Sequence, residues 1–251
     1  MKKILVKILE IFGYSIIKNN KSARYQDIQE KEFWELYELC KPYTMTSIER
    51  MYSLYKSVKY ILKHDIPGDF VECGVWRGGS SMLIAFILKK HRIKNRKLYL
   101  FDTFEGMSAP TEVDKDFRNE TAENLMDSSK KNKETSVWCL AELEDVQQNM
   151  SLTKLSPNQI IYVKGMVEDT IPESLPDSKI AFLRQDTDFY ESTKHELTYM
   201  FPLVSSLGVL IIDDYGHWKG CRKAVDEYMD KHNLNMMLHR IDYTGRVGIK
   251  L

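Results

Sequence analysis

The stretch 180–220 constrains the fold more than any other. It holds two short apolar runs, and each ends in acid. Ile180, Ala181, Phe182 and Leu183 lead into Arg184-Gln185-Asp186-Thr187-Asp188, and Val209, Leu210, Ile211 and Ile212 lead into Asp213-Asp214. Such runs read as strands buried on both faces of a parallel sheet. An unpaired buried carboxylate is expensive, so four acids at two strand ends need partners. A hard cation with oxygen ligands, such as Mg²⁺, is one partner that serves. The competing role is capping, because helices are expected after both strands. Capping suits Asp188, just ahead of Phe189-Tyr190-Glu191, better than it suits the adjacent pair Asp213-Asp214.

The remaining chain supplies a sheet around these two strands. A helical patch is expected at 31–39. Thr46 followed by Glu49 is a capping-box signal. It opens a helix to about Lys63, with Ile48, Met51, Tyr52, Tyr55, Val58 and Leu62 on one face. After Pro67-Gly68, residues 69–74 read as a strand, 75–81 as a glycine-rich turn and 82–90 as a helix. Strands are expected at 98–101, closed by Asp102, and at 159–164. Helices near 141–150, 190–200 and 221–231 alternate with the strands. A lid insertion fills about 104–150, with a helix near 121–131. The chain closes on a hairpin, 236–241 and 246–251, turning at Thr244-Gly245. Alternating strands and helices before a hairpin predict an α/β fold with a Rossmann-like, mostly parallel sheet and one antiparallel edge. Residues 1–42 form an N-terminal helical extension, and 43–251 form the main domain.

Lys+Arg and Asp+Glu both number 36, and this balance gives no sign of a nucleic-acid partner. Cys40, Cys73, Cys139 and Cys221 are scattered without metal or disulfide spacing, which points to free thiols in a reducing cytoplasm. Residues 1–18 alternate Ile, Leu, Val and Phe with Lys2, Lys3, Lys7 and Glu10. That run is too short to span a membrane and lacks a signal-peptide cleavage site. It reads as an amphipathic helix for docking on protein, or for weak contact with a membrane surface.

In doubly wound sheets, ligands bind beyond the carboxyl ends of the strands, at the switch point. Gly74, Gly78 and Gly79 at the end of the first strand let backbone approach a ligand, and the helix N-terminus favours negative groups. The spacing is G-x-x-x-G-G, which departs from the dinucleotide G-x-G-x-x-G fingerprint and counts against a nicotinamide oxidoreductase. Asp102 lies 23 residues beyond Gly79, where an acid accepts ribose hydroxyls, and Glu72 stands beside the turn. A ribose, an ammonium and a carboxylate together describe S-adenosylmethionine. In the sheet order 3-2-1-4-5, all four aspartates share the edge that carries the glycine turn. Asp186, Asp213 and Asp214 then hold Mg²⁺, which acidifies a bound hydroxyl, and Asp188 takes its proton. His217 and Trp218 follow directly and are candidates to line the acceptor pocket, with a surface or supporting position for His217 weighing equally against a role as base. A second reading keeps the fold as a non-catalytic, S-adenosylmethionine-binding regulatory domain.

Five blocks carry a family resemblance in the right order. They are Tyr43-Thr44-Met45-Thr46-Ser47, the stretch from Pro67 through Glu72 and Gly74 to Gly78-Gly79-Ser80, Phe101-Asp102-Thr103-Phe104-Glu105-Gly106, Asp186-Thr187-Asp188-Phe189-Tyr190 and Ile212-Asp213-Asp214-Tyr215-Gly216. The chain from about Tyr43 onward resembles the macrocin O-methyltransferase (TylF-type) family. The resemblance implies a class I methyltransferase, dependent on S-adenosylmethionine and Mg²⁺, that methylates sugar hydroxyls. It implies metal ligation by Asp186, Asp213 and Asp214 and a base role for Asp188. It also implies cofactor contacts at Met45, Thr46, the turn from Glu72 to Ser80, Asp102, Gly165 and Val167, and a homo-oligomer whose N-terminal segments help close the site. Gln185 departs from the pattern, which has an aliphatic residue there.

Overall fold

A computed structural model describes residues 24–129 and 137–251. The amphipathic run 1–18 lies outside the described residues. The chain divides into two units, Met1–Trp34 and Glu35–Leu251. In the first unit, the Trp34 indole donates to the Ile28 carbonyl at 2.9 Å.

The elements follow the expected alternation. Helices α1 (Lys31–Cys40) and α2 (Ile48–Lys63) precede strand β1 (Asp69–Cys73). Helix α3 (Gly79–Lys90) and β2 (Leu98–Asp102) come next, then the short α4 (Ala122–Asp127), α5 (Leu143–Ser151) and β3 (Ile160–Lys164). After α6 (Val167–Thr170) come β4 (Ile180–Gln185), α7 (Tyr190–Tyr199), β5 (Val204–Ile212), α8 (Lys219–Lys231), β6 (His239–Arg240) and β7 (Arg246–Ile249). One sheet runs β3-β2-β1-β4-β5-β7-β6. Its first five strands are parallel, and β7 pairs antiparallel with β5 and β6. The order reverses between β1 and β4, and that is the switch point.

Alternation along β1 sorts its side chains between two layers. Val71 and Cys73 face a core that takes in Leu197 and Met200 near α7, and Cys221, Val225 and Tyr228 from α8. Glu72 faces the opposite layer, where its carboxylate meets Ser81 of α3. Helix α2 buries Met51, Leu54, Tyr55, Val58 and Ile61. Ile48, Tyr52 and Leu62 are only half buried, so the apolar stripe is rotated from the expected one.

The cap of α2 also differs from expectation. Ser47, not Thr46, has the extended N-cap backbone, and its hydroxyl accepts from Arg50 N at 3.1 Å. Thr46 lies one residue further out, and its Oγ1 accepts from Arg184 at 3.3 Å. The described cysteines are free thiols. No helix among the described residues is long and apolar enough to cross a membrane.

Candidate active site

The carboxyl ends of β1, β2, β4 and β5 open into a cavity of about 330 Å³. Gly74 starts the turn that forms one wall. Its φ of +81° and the close approach of the Asp186 carbonyl leave no room for a Cβ. Asp102 holds the turn in place. One of its oxygens accepts from Val75 N at 2.6 Å and Trp76 N at 3.1 Å, and the other from Phe104 N at 2.7 Å. Burial raises the Asp102 pKa, and these N–H groups oppose the rise. Gly165 adds to this wall through a bond from its N–H to the Asp102 carbonyl at 3.0 Å.

Of the residues expected at the cofactor, Met45, Thr46, Gly74, Ser80, Asp102, Gly165 and Val167 line the cavity. Gly78 and Glu72 do not. Gly78 is the left-handed N-cap of α3. Glu72 is fully buried and bonded to Arg184 and Ser81. Burial pushes its pKa up, and Arg184 pulls it back.

All four strand-end aspartates line the cavity. Neither helix that follows is capped by any of them. The N-cap of α7 is Phe189 and that of α8 is Trp218, both without a side-chain cap. Asp188 instead accepts from the Trp218 indole at 3.0 Å, with φ at +68°. Burial, aided by the Asp186 charge, pushes the Asp188 pKa up to about 7. Burial also holds Asp186 and Asp214 well above the ordinary carboxylate range.

Two arginines brace this cluster, and the sequence reading gave neither a role. Register places Arg184 of β4 beside Glu72 of β1. The Arg184 guanidinium bonds Glu72, Asp186 at 2.8 Å and Asp213 at 3.0 Å. Arg50 of α2 meets the same Asp213 oxygen and Asp242 at 3.1 Å. Asp242 sits in the terminal hairpin turn, where its Oδ1 accepts from Thr244 N and Gly245 N. The signal for Arg184 was a charge inside a buried run, which requires a partnering carboxylate.

Among the described residues, no three His, Cys, Asp or Glu side chains stand ready as a metal-ligand set. The expected triad shares one edge of the cavity, but Arg184 bridges Asp186 and Asp213. Two observations still suit a cation. Asp213 Oδ1 and Asp214 Oδ2 are buried without a hydrogen-bond partner. Glu72, Asp186, Asp188, Asp213 and Asp214 also outnumber Arg50 and Arg184 in formal charge. Buried oxygens of this kind are satisfied by hard cations.

The segment after β2 is tied to the site. Asp114 is fully buried and accepts from Tyr190 N, the first residue of α7, at 2.8 Å and from Thr111 N at 2.7 Å. Gly220 makes this possible, since a Cβ there would collide with the Asp114 carboxylate. Trp138 serves the segment itself, donating to the Met126 and Ser129 carbonyls. Gln185 is buried next to Glu196, away from the cavity lining.

Comparison with known proteins agrees with this architecture. The profile of the macrocin O-methyltransferase (TylF) family matches residues 3–247, starting well upstream of Tyr43, where the motif resemblance begins. The demethyldecarbamoylnovobiocin O-methyltransferase of Streptomyces niveus is 35% identical over 203 residues, 81% of this chain and 74% of that protein. The mycinamicin III 3''-O-methyltransferase of Micromonospora griseorubida is 34% identical over 81% of this chain and 76% of its own. Among solved structures, the O-methyltransferase NovP superposes with a TM-score of 0.71 at 33% identity, covering 83% of this chain and 82% of its own. The calicheamicin methyltransferase CalS11 shares the fold at a TM-score of 0.63 and 17% identity, over 93% of this chain and 94% of its own. The chain therefore belongs to the macrocin O-methyltransferase (TylF) family, and it is an S-adenosylmethionine-dependent O-methyltransferase.

Proposed function

We propose that the enzyme methylates a sugar hydroxyl, carried on a glycoside, a nucleotide sugar or a surface polysaccharide. A relative named for a rhamnosyl-tetracenomycin 4'-O-methyltransferase, 34% identical over 203 residues, supports a sugar acceptor. The observation that carries the chemistry is Asp188. It lines the cavity, caps no helix, is oriented by Trp218 and has a pKa near neutrality. A base is most effective when its pKa lies near the working pH. Asp188 takes the acceptor proton through a carboxylate oxygen.

S-adenosylmethionine supplies the methyl group. Met45, Thr46, Gly74, Ser80, Gly165 and Val167 shape its pocket, and the acceptor capacity that Asp102 has left is available to a ribose hydroxyl. Glu72 acts from below, by holding Arg184. Asp186, Asp213 and Asp214 would hold Mg²⁺, which makes a hydroxyl more acidic when bound. The two unpartnered aspartate oxygens support that assignment. The reading extends to a cytoplasmic homo-oligomer, which light scattering checks.

Calorimetry with S-adenosylmethionine should show one-site binding, and methyl transfer to a panel of glycosides should stop with EDTA. Activity that survives both EDTA and Asp213→Ala refutes the metal assignment. Absence of transfer to any sugar, with cofactor bound, refutes the acceptor class.

A further inference from the structure

Three aromatic rings meet at the cavity mouth from distant parts of the chain. Phe117 comes from the segment tied down by Asp114, His217 from the loop after β5, and Tyr243 from the hairpin turn. Their centroids are 5.5 Å (Phe117–His217), 6.1 Å (Phe117–Tyr243) and 6.1 Å (His217–Tyr243) apart, all edge-to-face. The Tyr243 hydroxyl lies 3.3 Å from His217 Nδ1. This is not core packing, because Phe117 stays 48% exposed and Tyr243 54% exposed. Arg118 stands over the Phe117 ring at 5.0 Å and steadies it.

The cluster continues into the reaction cavity. His217 and Tyr243 line the cavity, and His217 packs on Trp218 at 5.0 Å. Trp218 in turn donates to Asp188. Burial lowers the His217 pKa, so its ring is held toward the neutral form and adds no charge to this surface. Exposed apolar surface continuous with a pocket marks a ligand position. A saturated ring with polarised C–H bonds suits the negative faces of aromatic rings.

We propose that Phe117, His217 and Tyr243 form an acceptor shelf that holds the sugar ring by its C–H face and presents one hydroxyl toward Asp188. This rests on the sugar-acceptor reading above, and it adds the residues that select the ring.

Saturation-transfer NMR on the full chain with bound S-adenosylhomocysteine tests this. The probes are methyl α-L-rhamnopyranoside, methyl α-D-mannopyranoside and methyl β-D-galactopyranoside. At least one probe should bind the wild type with saturation strongest at its ring C–H protons. Phe117→Ala should weaken it roughly ten-fold, while Phe117→Tyr stays within about three-fold. Cofactor affinity should stay within about two-fold in both. Equal binding by Phe117→Ala overturns the shelf, as does no probe binding to the wild type. A change in oligomeric state on Phe117→Ala, with sugar binding intact, also overturns it and assigns the rings to a contact between copies. Binding lost in Phe117→Ala without turnover in the wild type supports the shelf and refutes only the reaction. Turnover unaffected by Phe117→Ala refutes only the shelf.

Discussion

Glu196 offers a quantitative test of the packing behind the acid loop. Its side chain is fully buried in α7, and Oε1 accepts from the Thr187 hydroxyl at 2.9 Å. Burial pushes its pKa up to about 8, against roughly 4.3 in an unfolded chain. Between those values the native state keeps a proton that the unfolded state has lost. Stability therefore falls as pH rises through this window, by about 1.4 kcal/mol per pH unit for one proton. It is insensitive to this group below the unfolded value and flat again above the folded one. Glu196→Gln keeps an acceptor for Thr187 and removes the titration. From pH 5.5 to 7.5 the stability of the wild type relative to the variant should drop by about 2.7 kcal/mol. For a domain of this size that is roughly 5–10 °C in Tm. Thermal melts of both proteins at the two pH values measure it, and the other buried acids cancel in the difference. Parallel wild-type and variant profiles would show that Glu196 is ionised in the fold, and the argument from burial would fail.

Other substitutions separate the remaining roles. Asp188→Asn should lower kcat by at least about 100-fold with cofactor affinity unchanged in calorimetry; wild-type turnover would remove Asp188 as base. Arg184→Met takes the arginine from Glu72 and Asp186 and leaves Asp213 with Arg50 alone, and should cost about 3–5 kcal/mol in urea denaturation. Ser47→Ala should cost about 1 kcal/mol through loss of the α2 cap, while Thr46→Ala should cost less, as read by the same melts. Gly220→Ala should displace Asp114 from the start of α7 and speed limited proteolysis within 108–121.

The strands, their order and the glycine turn were legible because buried parallel strands give unbroken apolar runs between turn residues. The four aspartates were legible for the same reason, since acid at the end of such a run is conspicuous. Single-residue choices were less so. Thr46 and Ser47 both suit an N-cap, and only backbone dihedrals separate them. The stripe of α2 shifted toward Leu54 and Ile61 because helical periodicity fixes spacing without fixing rotation against the sheet. Partners far apart in sequence were invisible: Arg184 finds Glu72 across 112 residues, and Arg50 finds Asp213 across 163. The bond from Tyr190 N to Asp114 belongs to the same class, since Asp114 lies 76 residues before Tyr190.

Those long-range pairs alter the account of why the acids are affordable. Arg184 and Arg50 both engage Oδ2 of Asp213, and Arg184 also takes Oδ2 of Asp186. Each arginine is itself pinned, one by Glu72 in the neighbouring strand and the other by Asp242 in the hairpin turn. The brace therefore ties α2, β1, β4, β5 and the terminal hairpin to one set of carboxylates. It leaves Asp213 Oδ1 and Asp214 Oδ2 unpartnered, and it leaves Asp188 to the Trp218 indole and the neighbouring Asp214 carboxyl. Neutralisation is thus incomplete on the oxygens that remain for ligands. Fold stability and chemistry draw on different atoms of the same side chains, so a substitution that spares the braced oxygen separates the two. Asp214→Asn, which breaks no arginine pair, should lower turnover far more than it lowers Tm, whereas Asp213→Asn should lower both.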